Sequence, residues 1–282
     1  MILQNIRVVD GGAAMECGEG NNLVHRLFGP RARVLVLRGG YLGDFLAATP
    51  ALRALRQALP TARIGLITSP ALVPLARRYP WFDDIFTAPA WPGVSTGPSG
   101  EKVRRSFFEQ MRAWQADIAL QLNGGGESSN ALVRQLGARL TVGARHPATA
   151  PDLDLTVPYL KPQAVRFRLL DVIGLLGIPA TSIELELPGH PDDDRALAAA
   201  LPEGLTPDTL TDWPLVGLHP GAHAGARRWP IERFAAVATA AWRQFGLRPV
   251  ILGTETELGR ALRQRITSAA QPIDLTGRTS LG

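Results

Sequence analysis

One segment near the start of the chain combines a carboxylate with closely spaced glycines. In RGGYLGDFLAATPALRAL (38–55), an apolar run leads into a turn with Gly39, Gly40 and Gly43, and Asp44 falls at the start of the following helical stretch. Ligands of open α/β sheets bind at the carboxyl ends of parallel strands, and glycine allows close approach to the backbone. Asp44 is therefore a candidate general base facing a ligand, and the alternative is that it only caps the helix.

A second segment has the same strand–turn–helix pattern and carries positive charge. In GLHPGAHAGARRWPIERF (217–234), Gly221 and Ala222 belong to a loop of small residues whose amides can face an anion at a helix start. Arg227 and Arg228 add fixed positive charge, and arginine suits bidentate contact with phosphate. The segment predicts a phosphate-binding loop, and the alternative is a flexible turn with solvated arginines.

A third candidate acid follows the next predicted strand. Glu255, in LGTETE (252–257), precedes a helix, where a carboxylate can accept hydrogen bonds from ribose hydroxyls. The alternative is an acid that only complements the helix dipole. His219 and His223 are candidate catalytic groups, but a histidine near a strand end more often serves only as a hydrogen-bonding residue.

The chain lacks the motifs of several common enzyme classes. It contains no G-x-x-x-x-G-K-[ST], no G-x-G-x-x-G after the first strand, no H-E-x-x-H and no G-x-S-x-G. The acidic triplet 192–194 resembles a metal-binding D-x-D motif, but it follows Pro191 at a helix start, where acids complement the macrodipole. We therefore predict neither a metal site nor a bound cofactor.

The elements that position these residues alternate between strand and helix. Apolar runs such as RVLVLR (33–38) and RIGLIT (63–68) predict buried parallel strands, and the helical stretches between them indicate βα units. The pattern pauses at the proline-rich, acidic residues 188–212 and resumes at PLVGLH (214–219). We predict an α/β protein of two Rossmann-like lobes whose parallel sheets face a cleft. The predicted division is an N-terminal extension (1–30), a first lobe (31–187), a short helix with a linker (188–212) and a second lobe (213–282).

The second predicted lobe has only three candidate strands before Gly282. Sheets usually have about four to six strands, and this one would end on an uncovered edge. We therefore expect the second lobe to be truncated from that of a longer protein, or the chain to need a partner along that edge.

Composition limits the class of protein. Of the 282 residues, 45% are hydrophobic and 20% charged, which is typical of a globular chain and excludes disorder for most of it. Cys17 is the only cysteine, so no internal disulfide can form. No apolar run approaches the roughly 18–20 residues of a membrane helix, and the first thirty residues lack a signal-peptide pattern. These features predict a cytoplasmic protein.

The net charge of +5 indicates anionic partners. Lysine occurs only at Lys102 and Lys161, and the arginines are scattered as singles and doublets. Nucleic-acid binders more often concentrate positive charge on one face. We therefore predict no nucleic-acid partner, and favour a phosphate-bearing small substrate or an anionic membrane surface.

Together these segments resemble glycosyltransferase family 9, the ADP-heptose:lipopolysaccharide heptosyltransferase family, which has the GT-B fold. The resemblance covers about residues 33–282 and is carried by LGD…TPALRALR, by HPGA…RWP…RF, and by LGTETE with DLTGRTSLG. It implies that Asp44 is the general base on the acceptor hydroxyl, that Arg227 binds the donor diphosphate and that Glu255 holds the nucleotide ribose. The family's D-[ST]-G-x-x-H segment normally follows the point where this chain ends, and residues 1–30 lie outside the family pattern.

The resemblance and the residue inventory predict an inverting, metal-independent glycosyltransferase. It would move a heptose-like sugar from a nucleotide-diphospho-sugar to a glycan or lipid-linked acceptor of lipopolysaccharide type, and the anionic inner face of the cytoplasmic membrane is a predicted place for this reaction. Gly40 and Gly43 are assigned to the acceptor side, and Gly221, Ala222 and Arg228 to the donor side. Two alternatives stay open: a non-catalytic nucleotide-sugar-binding paralogue and a GT-B sugar-nucleotide epimerase.

Overall fold

The chain forms two compact α/β units, each with its own parallel sheet. The computed structural model describes residues 22–146, 153–222 and 224–279. The boundary between the units falls between Leu187 and Pro188. The α/β fold and the two parallel sheets expected from the sequence are therefore confirmed.

The first unit is a six-stranded parallel sheet in the order β3-β2-β1-β4-β5-β6, the strand order of dinucleotide-binding α/β domains. Its strands are β1 (Arg33–Leu37), β2 (Arg63–Thr68), β3 (Asp84–Thr87), β4 (Ile118–Gln121), β5 (Leu140–Arg145) and β6 (Leu155–Pro158). Its helices are α1 (Leu23–Phe28), α2 (Leu42–Ala58), α3 (Val73–Ala76), α4 (Glu101–Trp114), α5 (Ser129–Arg134) and α6 (Val165–Gly174). Sequence patterning did not predict β6, which is only four residues long and half-buried.

Strand β1 runs through the middle of this sheet and is buried on both faces. Val34 and Val36 pack in a core with side chains of α2 and α6, whereas Leu35 and Leu37 pack on the opposite face with side chains of α4 and α5. A strand covered on both faces reads as a continuous apolar run. This is why the sequence RVLVL predicts β1 so clearly.

Helix α2 continues through an internal proline. Pro50 has no N–H for the carbonyl of Leu46, and the Thr49 hydroxyl donates to that carbonyl instead, at 2.8 Å. The apolar face of the helix, including Phe45 and Leu52, is fully buried against the sheet. Packing and a local substitute hydrogen bond therefore hold the helix together across the proline.

The second unit has a three-stranded parallel sheet in the order β7-β8-β9. Its strands are β7 (Leu215–Leu218), β8 (Arg248–Ile251) and β9 (Ile273–Asp274), and its helices are α7 (Asp193–Ala200), α8 (Pro207–Thr211), α9 (Ile231–Phe245) and α10 (Thr256–Arg265). Ala235 and Ala238 of α9 pack with Leu218, Ile251 and Leu262 in the core.

Residues 188–212, predicted as one short helix and a linker, contain two helices, α7 and α8. Leu201 and Leu210 are buried with Val250, Ile273 and Leu275 of the second sheet. The segment therefore contributes to the core of the second unit. Its prolines and acidic residues suggested a linker because they interrupt the apolar pattern, so that the few leucines buried in the tertiary structure form no recognisable periodicity.

Part of the predicted N-terminal extension also packs into a unit. In α1, Val24 is fully buried, and the amide of Leu23 donates to the carbonyl of Leu176 at 2.8 Å. Residues 22–30 therefore belong to the first unit, whereas residues 1–21 of the predicted extension, with Cys17, lie outside the described residues. In the described parts of the chain, every helix is too short or too polar to cross a membrane.

Candidate functional site

The strand order of the first sheet reverses between the parallel neighbours β1 and β4, because the connection after β1 leads to β2 on one side and the connection after β4 leads to β5 on the other. In open α/β sheets, ligands bind at such a switch point, beyond the carboxyl ends of the strands. The chain leaves β1 through Arg38, Gly39 and Gly40 and enters α2 at Leu42, two residues before Asp44. The structure therefore places Asp44 at the switch point of the first sheet.

Asp44 lies in the first turn of α2, and the N-cap residue is Tyr41. Its Oδ2 accepts the backbone N–H of Tyr41 at 3.0 Å, the acidic half of a capping box. Its Oδ1 lies 3.9 Å from the guanidinium of Arg38, and 48% of the side chain is exposed. Asp44 thus helps to begin the helix without being its N-cap, and its carboxylate remains open to a group arriving from solvent.

The turn glycines differ in what they contact. The backbone of Gly39 and Gly40 lies against the loop at Val94, whose carbonyl accepts the amide of Gly40 at 2.8 Å. Gly40 has a φ of 87°, and a Cβ at this position would collide with the carboxylate of Asp44. At Gly43 a Cβ would meet open space. The structure thus explains Gly40 by the tight turn around Asp44 and leaves Gly43 facing solvent.

Polar side chains that the sequence analysis did not single out fix the end of β4. The amide of Gly39 donates to Asn123 Oδ1 at 3.0 Å, and the amide of Asn123 donates to Gln121 Oε1 at 2.6 Å. Gln121 Nε2 donates in turn to Asn130 Oδ1 at 2.7 Å, and both side chains are fully buried. Buried, satisfied networks of this kind rigidify a structure. The ends of β1 and β4 are therefore held in a fixed arrangement.

Arg38 is a buried charged residue that the sequence motifs did not indicate. It continues the apolar run of β1, yet only 3% of its surface is exposed. Burial lowers the pKa of Arg38 to about 10, and the nearby carboxylate of Asp44 opposes that shift. A charged residue that ends a strand buried on both faces is a signal that sequence reading can detect, because such a position usually holds an apolar side chain.

In the second unit, the predicted donor-side residues come together beyond the carboxyl ends of β7 and β8. The carboxylate of Glu255 packs directly against the backbone of Gly221, and a Cβ there would collide with it. The guanidinium of Arg228 lies 3.5 Å from Glu255 Oε1, and its Nε donates to the carbonyl of Ala222 at 3.0 Å. Gly221, Ala222, Arg228 and Glu255 thus form one cluster, which we call the Glu255 cluster.

Two further residues flank the Glu255 cluster. His219 Nδ1 lies 3.1 Å from the carbonyl of Gly221, and its Nε2 faces the backbone of Gly253. Arg227 ends a short 3₁₀ turn (Gly225–Arg227) and is exposed. Among the described residues no ion pair of its side chain is found, so this guanidinium can meet an external anion. His223 lies outside the described residues.

The charges of the Glu255 cluster suit a polar ligand. The side chains of Arg228 and Glu255 are 43% and 33% exposed, and exposed pairs contribute little to stability. The carboxylate can accept hydroxyl hydrogen bonds, and the adjacent cation can meet phosphate. Within the parts of the chain that the structure describes, no three His, Cys, Asp or Glu side chains are grouped to hold a metal ion.

Comparison with known proteins identifies the family. The family profile of glycosyltransferase family 9 (heptosyltransferase) matches residues 104–282, more than half of the chain. The chain belongs to this family, and it is a glycosyltransferase. No curated protein sequence gives a significant match.

Solved structures of the same family share the fold. A glycosyl transferase family 9 protein from Veillonella parvula DSM 2008 is 24% identical with a TM-score of 0.72, and the match covers 89% of this chain and 72% of that chain. ADP-heptose lps heptosyltransferase II of E. coli is 20% identical with a TM-score of 0.63, covering 89% and 74%. E. coli heptosyltransferase WaaC with ADP is 19% identical with a TM-score of 0.55, covering 83% and 73%. The GT-B fold class predicted from the sequence is thereby confirmed.

Proposed function

We propose that this chain is an inverting, metal-independent glycosyltransferase that transfers a heptose-like sugar from a nucleotide-diphospho-sugar to a glycan or lipopolysaccharide-type acceptor. The observation that carries the proposal is the half-exposed carboxylate of Asp44, which lies at the switch point of the first sheet. The chain belongs to a family of glycosyltransferases, in which a carboxylate at this place can act on an acceptor hydroxyl. The E. coli structures described with ADP and with ADP-2-deoxy-2-fluoro heptose support an ADP-linked heptose as the donor.

In this reaction Asp44 is the general base. The acceptor hydroxyl gives its proton to the Asp44 carboxylate while its oxygen bonds to the anomeric carbon. The bond between that carbon and the diphosphate oxygen breaks, and its electron pair leaves with the nucleotide diphosphate. A direct displacement of this kind inverts the anomeric centre and needs only one carboxylate. The exposure of Asp44 supports the role, because a base must come within hydrogen-bond reach of its proton.

The donor is bound by the second unit in this proposal. Arg227 contacts the diphosphate, supported by the small-residue backbone at Gly221 and Ala222, and offsets the negative charge that grows on the leaving group. Glu255 accepts hydrogen bonds from the ribose hydroxyls, and Arg228, which contacts Glu255 at 3.5 Å, holds the carboxylate in place. Fixed cations can thus do what a metal ion does in other transferases, and the nucleotide sugar is a co-substrate, so no further cofactor is required.

We also propose a cytoplasmic enzyme that meets a lipid-linked acceptor at the inner face of the membrane. The net charge of +5 supports attraction to anionic lipid. Co-sedimentation with vesicles of phosphatidylglycerol and phosphatidylcholine at low salt should exceed that with phosphatidylcholine alone. Equal binding to both vesicles would contradict the membrane part of the proposal.

The test of the function is a transfer assay. The chain is incubated with ADP-heptose and heptose-free lipopolysaccharide core, with and without EDTA, and the product is analysed by mass spectrometry and by NMR of the anomeric proton. We expect a heptosylated product with inverted configuration, at a rate that EDTA leaves unchanged. A retained configuration or loss of activity in EDTA would overturn the mechanism. Conversion of the donor sugar without acceptor would instead favour the epimerase alternative, and binding without any conversion the non-catalytic one.

A further inference from the structure

The guanidinium of Arg38 connects the two strand ends that define the switch point. Its Nε donates to the main-chain carbonyl of Asp44 at 2.8 Å, and Nη2 donates to the same carbonyl. Its Nη1 donates to the carbonyl of Leu122, immediately after β4, at 2.6 Å. Since β1 and β4 are neighbours at the point where the strand order reverses, this one side chain ties the first turn of α2 to the adjacent strand.

Packing alone does not account for an arginine at this position. The β1 residues that precede it on the same face, Val34 and Val36, are apolar and fully buried, and another apolar side chain would avoid burying a charge, which is unfavourable. The lowered pKa of Arg38 reflects that cost. A charged strand-end residue that runs against the local packing preference is expected at functional sites.

Arg38 also faces the carboxylate itself. Nη2 lies 3.9 Å from Asp44 Oδ1, while Oδ2 accepts the amide of Tyr41 at 3.0 Å. Asp44 is thus held at its carbonyl and at Oδ2, with a cation beside Oδ1. Three contacts restrict both its backbone and its side-chain torsions.

We propose that Arg38 is a positioning residue for sugar transfer: it fixes the first turn of α2 against the end of β4, so that the Asp44 carboxylate meets the acceptor hydroxyl in one orientation. This inference rests on the proposed role of Asp44 as the base. Arg38 neither touches the hydroxyl nor takes its proton. Because misplacement of a reacting group by about 1 Å can cost about 100-fold in rate, loss of Arg38 should lower kcat and leave donor binding unchanged.

The test compares Arg38→Lys and Arg38→Met with Arg56→Met. Arg56 is a matched control in the last turn of the same helix, where it donates to the carbonyls of Trp81 and Ala62, both at 2.9 Å, and contacts Asp83. Lysine keeps the charge at position 38 but lacks the planar fork that reaches two separate carbonyls. We expect kcat to fall about tenfold in Arg38→Lys and about 100-fold in Arg38→Met, with the donor KM within twofold. Arg56→Met should lower the melting temperature while its kcat stays within twofold.

Hydrogen exchange gives a readout independent of activity. Amides of residues 41–48 should exchange faster in Arg38→Lys than in the wild type, and not faster in Arg56→Met. If Arg38→Met does not fold, Arg38→Lys decides. Unchanged kcat and unchanged exchange in Arg38→Lys, with Asp44→Asn inactive, would overturn the inference and leave the proposed function standing. If the wild type transfers no sugar, the proposed function fails, and faster exchange would then still show that Arg38 holds the turn.

Discussion

At the scale of single residues, each acidic candidate carries out a structural task at the place where we assign it a chemical one. Asp44 accepts the amide of Tyr41 with one carboxylate oxygen, and Glu255 pairs with Arg228. Neither contact uses the whole carboxylate, which can accept about four hydrogen bonds through its two oxygens. A helix-start acid and a catalytic or binding acid are therefore compatible at both positions.

The role of Asp44 predicts a loss of rate without a loss of donor affinity. Asp44→Asn keeps the shape and can still accept the Tyr41 amide, but it cannot take a proton, so kcat should fall by about 10²- to 10⁴-fold. Steady-state transfer kinetics and calorimetric titration with ADP measure the two quantities. Asp193→Asn is the control, because Asp193 similarly accepts the amide of the residue three positions before it, His190, at 2.8 Å. A rate within threefold of wild type in Asp44→Asn would exclude it as the base.

The exposed guanidinium of Arg227 predicts a loss of donor affinity. Removing a charged hydrogen bond to phosphate costs about 1.5–3 kcal/mol, so Arg227→Ala should weaken ADP binding at least tenfold by calorimetry. Arg243→Ala removes an exposed arginine of the last turn of α9, at the other end of the helix from this loop, and should leave the affinity unchanged. Equal losses in the two variants would mean that only net charge matters.

At the scale of elements, side-chain contacts bind segment 182–187, which lies outside the helices and strands, to α2. The amide of Glu186 donates to the Thr49 hydroxyl at 3.0 Å, and its carboxylate pairs with Arg53 at 2.7 Å. The hydroxyl of buried Tyr79 donates to the Glu186 carbonyl at 2.6 Å. Burial raises the pKa of Tyr79 to about 12, and the negative charge of Glu186 adds to the shift. The segment therefore stabilises the helix that carries Asp44.

Tyr79→Phe should destabilise the first unit. The change removes one hydrogen bond and leaves the Glu186 carbonyl without this donor, so the free energy of unfolding should fall by about 1 kcal/mol. Urea denaturation followed by circular dichroism measures the loss. Tyr159→Phe is the control, because no hydrogen bond of the Tyr159 hydroxyl is found within the described residues. If both variants are equally stable, the Tyr79 hydrogen bond contributes nothing measurable.

At the scale of the whole molecule, the two ends of the strands in the first sheet carry residues of different kinds. The carboxyl edge carries Asp44 and Arg38, whereas the amino edge carries a charged cluster at the starts of β2 and β3. There Asp84 accepts two hydrogen bonds from Arg63, at 2.7 and 3.0 Å, and one from Trp114 Nε1 at 3.0 Å. The hydrogen bond from Arg63 is the main cause of the lowered pKa of Asp84. The stabilising Arg63–Asp84 pair and the proposed catalytic carboxylate of Asp44 thus lie at opposite ends of the strands.

This cluster predicts how stability depends on pH. A carboxyl with a lowered pKa in the folded state stabilises the protein above its unfolded pKa of about 3.9, and the contribution is lost as the pH falls below that value. Between pH 5 and pH 3, the free energy of unfolding should therefore fall more steeply in the wild type than in Asp84→Asn. Urea titrations at each pH measure it.

Glu109→Gln is the control for this comparison. It removes an exposed i,i+4 pair with Arg105, in which the side chains are 80% and 59% exposed, and such pairs contribute little to stability. The variant should follow the wild-type curve. A slope for Asp84→Asn equal to the wild-type slope would show that the cluster is not linked to acid unfolding.

The class of fold can be predicted from local sequence patterns, and so can the positions of the candidate catalytic and binding acids. Runs such as RVLVL specify buried parallel strands locally, and Asp44 and Glu255 are recognisable because each lies at the start of the helix that follows such a run. Four features appear in the tertiary structure alone: the hydrogen bond of Arg38 to Leu122, which is 84 positions away, the pairing of Glu255 with Arg228, the short strand β6 and the burial of Leu201 and Leu210. Sequence periodicity shows which face of an element is apolar. These four features depend instead on contacts with residues far away in the sequence, which a local pattern does not specify.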